Sequence, residues 1–179
     1  MAARTSVARG GARVLLGSGP GTYALVFVCR VPATAQIGRL GVLGVRPGAY
    51  VYVGSALGPG GLGARVARHL RPGGAVHWHV DYLRPWMSAH EVWAGPGGLR
   101  RECAWAQAAA GLPGAEVAMA GFGATDCGCA GHLIAFPALP SARAFRERVA
   151  LALPDDGPVL ALASRDLAGP PGARSVYHS

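Results

Sequence analysis

At 179 residues with 51% hydrophobic side chains, the chain is long enough for one domain with a sizeable core. Four cysteines over this length exclude a disulfide-built secreted scaffold, and no apolar run approaches a membrane span, so a cytoplasmic protein without membrane contact is expected. The net charge of +8 rests on 17 basic residues, all arginine, with +9 in residues 1–110 and −1 in the remainder. That asymmetry points to a polyanionic partner, nucleic acid first, unless arginine is simply the surface cation of this composition.

In chain order, residues 1–19 contain arginines but no continuous apolar stretch, and are expected to form a flexible basic arm. "TYALVFVCRV" (22–31) is apolar on both faces and rich in β-branched and aromatic residues, which predicts a central strand. "AQIGRLGVLGV" (35–45) reads as an inserted extended hairpin. "AYVYVGS" (49–55) predicts a second strand, with Tyr50 and Tyr52 on one face and Val51 and Val53 on the other. "GLGARVARHL" (61–70) carries a helical stripe at Leu62, Val66 and Leu70. "HWHVDYLRPW" (77–86) is a short helix or turn ended by Pro85, and "HEVWAG" (90–95) a short strand. "GLRRECAWAQAAAG" (98–111), alanine-rich and closed by glycine, predicts a helix. "EVAMAGFG" and "HLIAF" suit short strands. Residues 20–137 thus make the domain body, and 138–179 an amphipathic C-terminal helix with a disordered, Pro/Gly-rich tail. The expected fold is α+β: a small, mainly antiparallel central sheet flanked by helices.

The glycine-rich "GSALGPGGLGAR" (54–65) raises the question of phosphate binding. A P-loop needs a lysine after its last glycine, and the chain has no lysine; a dinucleotide fingerprint needs a following acidic residue that is also missing. The loop is therefore expected to reverse the chain from strand to helix. Arg65 and His69, four residues apart, then project from one side of that helix, near the end of the tyrosine strand. A guanidinium there suits a planar, multidentate grip on a phosphate; a solvated helix face is the plainer reading.

The ordered set "GTY" (21–23), "YVG" (52–54), "LGARVARH" (62–69) and "ECAWA" (102–106) resembles the GIY-YIG endonuclease superfamily. "HWHVDYL" (77–83) and "GFGATDCGCAGHL" (121–133) resemble its Uri-type branch, and the likeness spans about residues 20–137. The resemblance implies a metal-dependent DNA endonuclease that hydrolyses phosphodiester bonds, structure-specific or repair-related, with DNA as partner and a protein partner able to supply specificity. It implies that Tyr23 and Tyr52 position or deprotonate the attacking water, and that Arg65 stabilises charge on the phosphate. His69 would orient a tyrosine or move a proton, and Glu102 would hold one Mg2+ or Mn2+ ion. The expected nucleic-acid contacts are Arg68, Arg71, His77, His79 and Arg84. The chain departs from the family pattern in a longer gap between GTY and YVG and in having no asparagine. The second departure keeps a catalytically weak or inactive nucleic-acid-binding module as the alternative. Oligomeric state is left open.

Two further groupings bear on metals. His77, His79 and Asp81 resemble the start of an HxHxD site, but no second ligand cluster accompanies them, so DNA contact or structural capping is preferred. Cys127, Cys129 and His132 could hold zinc with a fourth ligand such as Cys103. Structural zinc usually uses paired C-x-x-C knuckles, so a tight turn with buried thiols, capped by Asp126, is the preferred reading.

Overall fold

The computed structural model describes residues 11–71 and 75–167. The elements run α1 (Ala12–Leu16), β1 (Gly21–Cys29), β2 (Ala33–Ile37), β3 (Gly41–Val45), β4 (Gly48–Ala56) and α2 (Gly61–Leu70). A 3-10 turn (His79–Leu83) follows, then β5 (Met87–Pro96), α3 (Glu102–Ala110), β6 (Glu116–Val117), β7 (Leu133–Phe136), α4 (Ala142–Ala152), β8 (Leu160–Ala163) and α5 (Ser164–Leu167).

The expected α+β class is what forms. Six strands lie in the order β6-β7-β4-β1-β5-β8, with every neighbouring pair antiparallel. The inserted segment makes its own two-stranded β2-β3 hairpin.

Alternation along the two central strands divides the core between the two faces of the sheet. On one face Tyr23, Leu25, Phe27, Tyr50 and Tyr52 pack with Leu62 and Val66 of α2 and with Ile37, Leu43 and Val45 of the hairpin. On the other, Ala24, Val26, Val51, Val53 and Trp93 pack against α3 and α4. Phe145 of α4 stacks on Trp93 at 4.4 Å between centroids and meets Trp105 of α3 edge-on at 5.3 Å. Burial of each such ring is worth about 1.5–3 kcal/mol. Ser141 begins α4 by accepting the Ala144 N–H on its hydroxyl.

Residues 1–10 of the expected basic arm lie outside the described residues, but 12–16 form a helix whose Ala12 and Leu16 are buried. The C-terminal region likewise holds more than a helix: β8 pairs with β5, so the sheet draws on residues beyond 137. Residues 168–179 lie outside the described residues.

The glycine loop turns the chain as expected. Gly60 and Gly61 adopt φ of 83° and 57°, conformations that favour glycine. The first amides of α2 are already engaged: Leu62 N–H donates to the Gly19 carbonyl and Gly63 N–H to that of Gly17, each at 2.9 Å. Gly61 N–H donates to Gly58, and Ala64 N–H to Gly60. The groups that would cradle a phosphate at a helix N-terminus are thus spent on the end of α1 and on the loop itself.

Candidate active site

Adjacent antiparallel strands set the first two side chains. Tyr23 faces Gly54 across the β1–β4 ladder and Tyr52 faces Leu25, so the tyrosines are diagonal neighbours on one face. Their ring centroids are 6.5 Å apart. Gly54 makes room for this: a Cβ there would come within 2.6 Å of the Tyr23 hydroxyl oxygen.

α2 packs beside them and supplies Arg65 and His69. His69 is buried, and its Nε2 lies 2.9 Å from the Tyr23 hydroxyl. Its Nδ1 lies 3.4 Å from Asp81 Oδ1. Asp81 is buried and accepts the backbone N–H groups of His77 (2.9 Å) and Trp78 (3.0 Å) on Oδ2, and the Arg84 guanidinium on Oδ1. Burial alone would push the Asp81 carboxyl up, but His69, the Trp78 and His77 amides and Arg84 together hold it well below the usual carboxylate range. An ionised carboxylate only accepts, so Asp81, close to Nδ1 though not hydrogen-bonded to it, favours the proton on that nitrogen and leaves Nε2 to accept the Tyr23 proton.

Burial keeps His69 neutral, pushing its imidazole below the ordinary value against the opposing pull of Asp81. Burial and Tyr52 push the Tyr23 hydroxyl well above its ordinary value. Burial pushes Tyr52 up to about 12. Neither tyrosine is therefore a phenolate near neutral pH. Of the two roles considered for them, direct deprotonation is disfavoured, and positioning or relay is left: Tyr23 can accept a proton as it passes its own to His69.

Tyr23, Tyr52, Arg65 and Glu102 line one cavity of roughly 570 Å3, with His77, Trp78, His79 and Arg100. Arg65 lies 4.2 Å from the Trp78 ring centroid and enters no ion pair among the described residues. Glu102, the first residue of α3, suits the positive end of a helix. Its Oε1 accepts the Ser55 hydroxyl at 2.6 Å. A half-buried carboxylate beside a hydroxyl is an oxygen-only donor set of the kind that hydrated magnesium takes, so these residues fit one such ion.

The other expected contacts separate. His77 and His79 line the cavity, His79 through a ring whose Nδ1 accepts the Gly123 N–H at 3.1 Å. Arg68 stacks 4.0 Å from the Trp78 centroid and lies 3.5 Å from Asp81. Arg71 and Arg84 line a different cavity, with His69 and Met87, and Arg84 is committed to Asp81. Asp81 and Trp78 are the organising residues that sequence reasoning undervalued. The available signal was that Asp81 is one of three acids in residues 1–110, inside a segment already marked by two histidines.

At one wall of the cavity, which Cys103, Cys127 and His132 also line, Cys103 of α3 meets Cys127, Cys129 and His132 of the loop between β6 and β7, with all four ligand atoms within 4.8 Å of one another. The three thiols are half-buried, and Asp126 is exposed.

A family model described as Domain of unknown function DUF123 matches residues 22–153. The chain belongs to that family. The match takes in every cavity residue named above and the four-residue cluster, and ends after α4, before β8. No curated protein and no solved structure matches the chain. Among the described residues no helix is long and apolar enough to cross a membrane.

Proposed function

We propose that the protein is a metal-dependent DNA endonuclease of the GIY-YIG superfamily, Uri-type branch. The observation that carries this reading is the convergence of Tyr23, Tyr52, Arg65 and Glu102 on one cavity. These residues come from two strands and two helices and share no local sequence pattern that would gather them by chance.

The chemistry follows from the parts. Phosphodiester hydrolysis needs a positioned water, a route for its proton and positive charge against the pentacovalent transition state. Tyr23 and Tyr52 hold the water. Tyr23 takes its proton while donating its own to His69 Nε2, and Asp81 steadies the imidazolium that results. Arg65, held by Trp78 and free of ion pairs among the described residues, meets the developing phosphate charge. A magnesium or manganese ion on Glu102 would supply the Lewis acid at the scissile phosphate. His77 and His79, at the cavity wall, and the basic N-terminal half give DNA affinity that is not sequence-specific. Selectivity then comes from DNA shape or from a protein partner.

The test is nicking of supercoiled plasmid and of branched DNA with magnesium by wild type, Glu102→Ala and Arg65→Ala. Cleavage by wild type with losses of about 100-fold or more in both variants is expected. Equal activity in all three would overturn the assignment. Salt-sensitive binding that survives Glu102→Ala, with no cleavage under any divalent metal, would instead make the protein a binding module.

A further inference from the structure

We infer that Cys103, Cys127, Cys129 and His132 form a closed, tetrahedral zinc site that fastens the loop between β6 and β7 to the start of α3. The inference does not depend on the nuclease reading.

The geometry is that of a ligand set. Four soft or borderline ligand atoms lie within 4.8 Å of one another, and His132 Nε2 is 3.4 Å from Cys127 Sγ. Zn–S bonds of about 2.3 Å at tetrahedral angles put sulfurs about 3.8 Å apart, so closing the shell requires movements of under about 1 Å. Three thiolates and an imidazole are a recognised structural zinc combination, and thiolate softness argues against magnesium or calcium. Disulfide chemistry explains the cluster less well: all four cysteines are free thiols, and pairing any two of the three clustered ones strands the third.

The surroundings give the ion a purpose. Residues 118–132 contain no helix or strand, and a loop of this length needs something to hold it. Phe122 and His132 anchor it in the core, and the Gly121 and His132 amides donate to the carbonyls of Ala130 and Phe122. Its outer turn, with Cys127 and Cys129, reaches across to Cys103. Gly123, Thr125 and Cys127 of this loop line the cavity, and Cys103 is the chain neighbour of Glu102. An ion here would fix one wall of the cavity relative to the Glu102 carboxylate. On binding, each thiol releases its proton to solvent and the neutral imidazole donates a lone pair, so zinc uptake releases protons.

The test measures metal, not turnover. Full-length protein purified under reducing conditions and desalted without chelator is analysed for zinc and iron by plasma mass spectrometry. About one zinc per chain is expected, as for a structural site, with Cys29→Ala as a control that retains it. Replacement by Co2+ should give the d–d bands of a tetrahedral ion and near-ultraviolet thiolate-to-cobalt charge transfer. Cys129→Ser should lower zinc content at least several-fold while its far-ultraviolet circular dichroism reports whether it folds. The wild-type stoichiometry and cobalt spectrum stand whether or not that variant folds. Wild-type protein with only trace zinc removed by desalting, with iron in place of zinc, or with a disulfide among these cysteines would overturn the inference.

Discussion

The hydroxyl of Tyr23 lies 2.9 Å from Nε2 of His69, while the other ring nitrogen faces the buried carboxylate of Asp81. Strand, helix and 3-10 turn are thereby joined by one polar line through an otherwise apolar face. Because burial lowers the His69 pKa from 6.5, the imidazole is neutral and able to accept a proton near pH 7. For the proposed nuclease, cleavage should therefore fall as pH drops below about 6.5 through the lower pKa of folded His69. It should show no alkaline limb from Tyr52 until near its pKa of about 12. His69→Gln should slow cleavage by about 100- to 10,000-fold and abolish the acid limb. Retention of that limb in the variant, in a pH–rate profile with DNA binding measured in parallel, would remove His69 from the proton route.

The same groups set the acid stability of the fold. Both His69 and Asp81 titrate lower in the folded chain than in the unfolded one, so the unfolded chain binds more protons and stability rises with pH. The contribution of His69 is complete above pH 6.5 and declines below it; that of Asp81 is complete above pH 3.8 and declines below it. Urea midpoints measured against pH should show both losses in wild type and only the lower one in His69→Gln. Asp81→Ala removes the carboxylate that accepts two backbone N–H groups and one Arg84 hydrogen bond. It should cost about 3–5 kcal/mol near pH 7, read as a lower urea midpoint at unchanged slope.

Gly54 is needed for the position of a side chain on the neighbouring strand. A methyl group at 54 would sit 2.6 Å from the Tyr23 oxygen and 2.8 Å from its Cζ, so the ring must leave His69. Gly54→Ala should lower stability by about 1–3 kcal/mol, as overpacking does. Its cleavage loss should match that of Tyr23→Phe. Thermal melts and initial rates check the pair; a Gly54→Ala variant that cleaves at the wild-type rate would show that Tyr23 tolerates displacement.

Much of this was legible in the chain because period-two alternation and a covered sheet leave local signatures. Tyr50 and Tyr52 against Val51 and Val53 assigned both faces of β4 correctly, and Arg65 lines the cavity as the helical spacing implied. What was hidden depends on partners distant in sequence. α1 has only five residues and no side-chain cap, so nothing in "ARVLL" outweighs its glycine-rich surroundings. β8, "LALA", is too short to show a period and becomes a strand through pairing with β5. The role of Asp81 is created by two backbone amides, an arginine and a histidine from another helix, which no local pattern announces. Cys103, which the sequence offered as one possible fourth ligand, stands with Cys127, Cys129 and His132 because α3 packs on the sheet.

The two faces of the sheet should be separable by substitution. Phe145 stacks on Trp93 and meets Trp105 on the side away from the tyrosines. Phe145→Ala should cost about 3–5 kcal/mol. Cleavage per folded molecule, measured well below the melting temperature, should stay unchanged. A loss of rate beyond the loss of folded protein would mean that the packing of α4 reaches the cavity through α3.

β5 is hydrogen-bonded to β1 along one side and, at Glu91–Ala94, to the four residues of β8 along the other. Those four residues lie past the end of the family match at 153. A polypeptide shortened to that span would keep every cavity residue yet bare a row of backbone donors and acceptors beside the apolar Val92, Trp93 and Ala94. Such an uncapped margin recruits strands from other molecules. The short segment "LALA" replaces that margin with an edge of only four residues; its removal should leave the cavity intact and surface first as loss of solubility.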